Sequence, residues 1–582
     1  MRITRWLLVL AACGAPGAPA REPAPSPGLA SNVLRADYAG SPACSDCHGQ
    51  VYSAWAASPM RNMTRDAKTA AIRAPFDGAT LHVGSDTSTA ETENGERYIT
   101  LHSPAGDKRF RVTKVVGGRY REDFVGVDTA GGATEFVLPM TYVFAAKSWR
   151  YKGYSVMVKE RPRMAWNGEW AKECIGCHNT LPLVTMLYDE LYGPTLPPYQ
   201  GKMQDRILPH DKTWSAHALD ERGLAHALDD EIGFLGGQPP GDDGLRATLA
   251  AAATTMEKRL DGDKLVELGI GCEACHNGSR AHAAKPEVLP AFEAKSSLVG
   301  LEPPRGETGT RAQWINHTCA KCHTVLFSRY PWTWEGGERR ARDPGGSSIS
   351  SGEGRDYQLG GCASQMACTA CHDPHTEDSP AKLAQLATTA GDALCQKCHA
   401  GHGAEHTHHQ TVGCIACHMA KKNMGLDYVL NRYHRIGSPT DANRVERDRP
   451  LECALCHVDK SVESLLTTME TWWSKHYDRA AVQRLYGADL AVNAIRATLE
   501  RGKPHEQAVA IVTLADFNQR DAIAALVPML WHEYPLVRYF AKRALQRITG
   551  DAVDIDVGAP ADEVHAAAQR WLVLFTAVSA HP

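Results

Sequence analysis

The residues richest in chemistry in this sequence are thiols and imidazoles at one fixed spacing. Cys-x-x-Cys-His occurs at Cys44 (CSDCH), Cys174 (CIGCH), Cys272 (CEACH), Cys319 (CAKCH), Cys368 (CTACH), Cys395 (CQKCH), Cys414 (CIACH) and Cys453 (CALCH). Two thiols three positions apart can each add across one vinyl group of a haem, and the next residue is then a histidine held beneath the iron. The unit therefore reads as a c-type haem attachment site. At this Cys and His content a chain of this length would hold only ~0.02 such units by chance. Zinc has no need of a histidine directly after every Cys-x-x-Cys pair. A disulfide framework fixes no histidine either, and redox dithiols come singly. The expectation is eight covalent haems, held through Cys44, Cys47, Cys174, Cys177, Cys272, Cys275, Cys319, Cys322, Cys368, Cys371, Cys395, Cys398, Cys414, Cys417, Cys453 and Cys456. Their proximal iron ligands are His48, His178, His276, His323, His372, His399, His418 and His457.

The rest of the composition sets bounds. A chain of 582 residues has room for two to four domains. Its formal net charge of -4 points to neither nucleic acid nor an anionic membrane surface as partner. Of 18 cysteines only Cys13 and Cys362 stand outside the units. Cys362 reads as a buried unreactive thiol. The first 13 residues pair Arg2 and Arg5 with the apolar run Trp6 to Ala12, too short for the roughly 20 residues of a membrane span. This is an export signal, in keeping with haem attachment outside the cytoplasm. Leu10-Ala11-Ala12-Cys13 resembles a bacterial lipobox, which implies lipidation of Cys13 and, with Gly14 next to it, an outer-membrane anchor; ordinary secretory cleavage after Ala18 or Ala20 is the alternative. Residues 14–36 read as a Pro- and Ala-rich tether.

Around the first unit, SPACSDCHGQVYSAWAASPMRNMT resembles the multihaem cytochromes that include the tetrahaem cytochrome of ammonia oxidation. Tyr52 and Trp55 are three apart and share a helix face. That family often has a distal histidine where this chain has Met60, so Met60 is either an axial sulfur ligand, which would raise the potential of its iron, or a core side chain. Residues 37–75 form the first haem segment. Residues 76–160 hold no unit: RYITLH, KRFRVTKVV and REDFVGVD, separated by Asn94-Gly95, Ala105-Gly106-Asp107 and Gly117-Gly118, predict a small antiparallel β insertion packed on the first two haems.

Residues 161–460 read as the multihaem domain, with six units between Cys272 and His457 at roughly thirty residues each. So short a chain per haem predicts that the porphyrins themselves are the core, with sparse regular structure and short helices. Each iron needs a sixth ligand. The resembling family places histidines at recurring positions, and the matching residues here are His282, His317, His375 (in CHDPH), His408 or His409 (in EHTHH) and His434; haem-propionate contact or a surface position is the alternative for each. In SRYPWTWEGGERR, Tyr330, Trp332 and Trp334 stand beside Arg329, Arg339 and Arg340, either stacked on porphyrin edges and paired with propionates or forming a plain packed loop.

From residue 461 helical periodicity begins. HEQAVAIVTLADF, RDAIAALVPMLWHEY and PLVRYFAKRALQRITGD carry apolar residues at three- and four-residue steps, with Pro535 at a helix start and Gly550 at an end. The run YPLVRYFAKRALQRITG resembles a HEAT repeat, which implies stacked helix pairs closed by a last helix over 562–578, serving as a structural cap or as a docking surface for a redox partner. The fold class expected is mainly α with much irregular structure: a haem-packed core, a small β insertion and HEAT-like helices. The function expected is electron transfer between redox partner proteins in the periplasm or at the outer membrane, with membrane contact only through Cys13. The alternative is an oxidoreductase with one open iron acting on nitrite, hydroxylamine or tetrathionate.

Overall fold

The structure, a computed structural model, describes residues 31–193, 208–259, 262–324, 330–337, 349–350, 352–425 and 427–579. The expected export signal, Cys13, most of the expected tether, and Arg329, Arg339 and Arg340 of the aromatic-basic run lie outside the described residues.

The architecture is mixed α/β, 41% helix and 16% strand, rather than mainly α. The difference lies in the β region, which is a whole sheet. Strands β1 (Thr64–Asp66), β2 (Asp77–Val83), β3 (Asp86–Glu93), β4 (Glu96–His102), β5 (Lys108–Gly117), β6 (Arg121–Asp128), β7 (Glu135–Val143) and β8 (Ser148–Tyr151) form one antiparallel sheet. From β2 to β8 each strand pairs with the next, and β1 adds to the far end of β5. The sheet curls until β2 comes alongside β8 and it is nearly closed. Its turns fall where the glycines predict. Asn94 and Gly95 both take positive φ, 51° and 81°, and close a two-residue hairpin whose flanking pair is Glu93 and Glu96. Alternation puts Ile99, Phe110, Phe124, Leu138, Met140 and Trp149 inside, where Phe76 packs edge-on to Phe124 and Trp149. Aromatic side chains fill the interior.

A second core joins the segment around Cys174 to a helical hairpin. Leu224, Leu228 and Ile232 of the helix Glu221–Phe234 and Leu249, Ala253 and Met256 of the helix Leu245–Arg259 close over Ile175, Leu183, Val184 and Tyr188. The largest core merges the end of the unit-bearing region with the C-terminal helices. There the helix Pro504–Asp516 lies between Ala494–Arg501 and Pro535–Thr549. The helical periodicity of RDAIAALVPMLWHEY is realised as a 3-10 turn (Arg520–Ala522), one α turn (Ile523–Leu526) and a second 3-10 stretch (Val527–Trp531). Pro528 has no amide to give an α-helix and breaks it. Pro535 does open a helix, Gly550 ends it at φ 78°, and the last helix runs Ala561–Ser579.

One stretch differs from all of these. Between Asp378 and Gly413 no described side chain is buried, although the chain there holds defined turns and short helices. Polypeptide with no apolar interior of its own must draw its burial from another surface.

Candidate haem-binding site

Each unit is one helical turn. In seven of them the histidine amide donates to the carbonyl of the first cysteine at 2.9–3.2 Å, and the remaining one, Cys414–His418, is itself a short helix. An i to i+4 turn stacks the first thiol and the imidazole on one face, where a single macrocycle can meet both.

Ring positions show which imidazoles could share an iron. Two iron–nitrogen bonds of ~2 Å and two ring radii of ~1 Å put imidazole centres across one iron at roughly 6 Å. His48 faces His282 at 6.0 Å, His276 faces His375 at 6.3 Å and His372 faces His434 at 6.4 Å. His418 faces His406 at 6.2 Å, with the planes 10° apart, and His457 faces His409 at 5.9 Å. His399 has His402 at 6.0 Å. Among the described residues no three His, Cys, Asp or Glu side chains converge as an all-protein metal site. Facing pairs are what an iron already bound by four porphyrin nitrogens requires, so these residues fit haem.

Hydrogen bonds fix which ring nitrogen faces inward. The Nδ1 atoms of His434, His418 and His409 meet the carbonyls of Arg432, Gly437 and Thr407 at 2.9, 3.1 and 2.6 Å. His372 Nδ1 meets Asp378 Oδ2 at 2.7 Å. With Nδ1 engaged, Nε2 is left for a metal. Burial holds His276, His418, His406 and His434 below the usual imidazole range, in the neutral form that ligates.

The units also touch one another. The sulfur of Cys44 lies close to that of Cys272, Cys177 to Cys322, Cys319 to Cys368, and Cys395 to Cys414. The first unit thus abuts the third, the fourth abuts the fifth, the sixth abuts the seventh, and the second sits against the fourth.

Other predicted residues lie elsewhere. His317 is buried against Trp214, ring centres 4.4 Å apart, and both its nitrogens lack a hydrogen-bond partner among the described residues. His408 stacks on Trp472 at 4.4 Å rather than on a unit histidine. Met60 follows the helix Gly49–Ala56 and its carbonyl takes the Ile270 amide, while the ring opposite His48 is that of His282. Tyr330 and Trp334 are buried core: Tyr330 Oη meets His505 Nδ1 at 2.7 Å, and Trp334 Nε1 donates to Asn423 at 2.7 Å. Cys362 is half-buried, its thiol pushed up first by burial and then by the neighbouring Cys395 and Cys398. His402 and His406 are the facing residues that sequence reasoning missed. The only signal was the density of histidines over 399–409, which does not say which rings point inward.

Comparison with known proteins bears on the same stretch. The family described as Doubled CXXCH motif matches residues 361–404. No curated protein matches the chain. A solved structure, titled Crystal Structure of Outer Cell Wall Cytochrome OcwA, aligns over 92% of this chain and 99% of its own at 14% identity; its TM-score of 0.35 is too low to argue a common fold. The doubled motif supports a multihaem c-type cytochrome with covalently bound haem c. Such haems supply reversible one-electron chemistry at iron, and this chain supplies the imidazoles, thiols and second hydrogen bonds that would hold and tune them.

Proposed function

We propose that this chain is an exported octahaem c-type cytochrome that passes electrons between redox partner proteins of the cell envelope through closely spaced haems. The observation that carries the reading is the interlocking of ligands. His375, three residues after the fifth unit, faces His276 of the third, and His434, beyond the seventh, faces His372 of the fifth. Ligands lent across units bind neighbouring porphyrins into one array, which is the arrangement for conduction rather than for independent sites. Intact mass and a haemochrome assay of the mature protein should give eight haems per chain. Fewer would remove the units that lack one from the wire.

Export, the lipid at Cys13 and a periplasmic or outer-membrane location rest on the N-terminal sequence. Mass spectrometry of the mature N-terminus tests them: an acylated Cys13 supports the anchor, and a start downstream abolishes it. The C-terminal helices, HEAT-like in their sequence, are proposed as the face that docks a redox partner.

A second reading, an oxidoreductase with an open iron, has its own support. Among the described residues His178 and His323 are the unit histidines with no second imidazole ring against them. Low-temperature EPR of the oxidised protein separates the two. Low-spin iron throughout favours pure conduction, and a stoichiometric high-spin signal that shifts with nitrite favours the enzyme.

A further inference from the structure

We propose that the edge of the β sheet beside the second unit is a binding site for an oxygen-bearing anion, formed by Arg121, Arg150 and Lys152 together with Tyr428. The inference rests on the reading of that unit as haem-bearing and names what its surroundings would hold.

Two of these cations meet one carboxylate here, and the third lies against Tyr428. Asp123 Oδ2 lies 3.2 Å from Arg121 and 2.8 Å from Lys152, and its other oxygen takes the hydroxyl of Thr141. Arg150, 1% exposed, donates from Nη1 to Tyr428 Oη at 2.7 Å. Its Nε and Nη2, and Nη1 of Arg121, are buried with no hydrogen-bond partner among the described residues. Donors left unpaired away from water destabilise a fold, and a surplus of buried positive charge does so more strongly. A bound anion removes both penalties at once, and guanidinium groups match the paired oxygens of a carboxylate or oxyanion.

The cluster is tied to the attachment site. Arg121 acts electrostatically on Cys174, and Lys152, Asp123 and Arg121 act on the ring of His178, itself held down to about 4 chiefly by burial. Thr64 Oγ1, on the strand paired with β5, donates to the His178 carbonyl at 3.0 Å. From the far side Tyr428 is backed by Tyr539, ring centres 5.0 Å apart and planes 5° apart. Sheet, attachment turn and C-terminal helix therefore converge on one buried cationic cluster.

Two sources offer the required chemistry: a free oxyanion of the size of nitrite, or the propionates of the haem at Cys174 and Cys177. Nitrite titrated into the holoprotein at constant ionic strength, followed by calorimetry, distinguishes them. Saturable single-site binding, weakened roughly tenfold or more in Arg150→Met, assigns the cluster to a free anion. If nitrite does not bind but the propionate bending mode in the resonance Raman spectrum moves in the variant, the haem's own carboxylates fill it. Absence of both responses overturns the proposal. Lys152→Gln, at a quarter-exposed side chain, provides the same comparison should Arg150→Met fail to fold. Haem content measured on the same sample separates loss of the haem from loss of anion binding.

Discussion

At the scale of single residues, the hydrogen bond behind each imidazole decides how its iron behaves. His372 is the unit histidine whose Nδ1 meets a carboxylate, Asp378, which is held in turn by Lys382 at 2.6 Å. A carboxylate behind the ring gives imidazole more anionic character and favours ferric iron. Asp378→Asn should therefore raise the potential of that haem, by roughly 60 mV if the preference changes tenfold; a spectroelectrochemical titration would read it, and an unmoved potential would remove the carboxylate's role. The run EHTHH makes a second test. Sequence alone favoured His408 or His409, because adjacent histidines are equivalent on paper, whereas a one-residue step rotates a side chain to another face. With His406 facing His418, His406→Ala should turn one haem high-spin in EPR and His408→Ala should not.

At the scale of elements, strands and turns were legible because they are local. Asn94-Gly95 and Gly117-Gly118 announce positive φ, and alternation announces which side chains face in. That the hairpins curl into one nearly closed sheet was not legible, since closure depends on β2 meeting β8 across the whole segment. The junction between the segments that follow the first and second units depends on one glycine that carries no motif. Gly269 has φ 76°, and an added Cβ would lie 2.0 Å from the Arg61 carbonyl oxygen. Its amide and carbonyl also bond Asn179 and Thr180, next to His178. Gly269→Ala should cost ~2 kcal/mol or more in denaturant unfolding and lower haem content. In the short helix Glu353–Gln358, burial raises the Asp356 carboxyl from 3.8 to about 7 against the pull of Arg355 and Asn423. The unfolded chain ionises this group near pH 4 and the folded chain near pH 7, so folding takes up a proton in between. Its contribution is complete below pH 4, declines as pH rises and is gone above pH 7, a change on the order of 4 kcal/mol. Asp356→Asn should flatten that part of the stability-pH curve; a curve as steep as wild type would show that another group carries it.

At the scale of the molecule, the C-terminal helices are fused to the unit-bearing region. Glu506 is fully buried and accepts from the amide and Nε of Arg449, while Arg538 reaches Glu160 at 2.5 Å. Tyr330 and Trp334, which the sequence offered as porphyrin contacts or as a packed loop, are the wedge between the two regions. Glu506→Gln leaves the Arg449 charge buried without its partner and should destabilise the protein by ~3 kcal/mol, seen as one cooperative loss of stability rather than release of a separate domain. A two-step melt with the haem-linked step unchanged would show the helices to be independent.

The sequence by itself determined the attachment chemistry, because Cys-x-x-Cys-His needs only one helical turn to bring its thiol and imidazole together, and a turn is set by residues four apart. It likewise determined the hairpin turns, the helix start at Pro535 and the helix end at Gly550. Only the tertiary structure decided which histidine faces which, that the second unit sits against the fourth, and that Arg121 and Lys152 gather beside His178. Those relations join residues tens to hundreds of positions apart, and a spacing rule holds no information about where the chain returns.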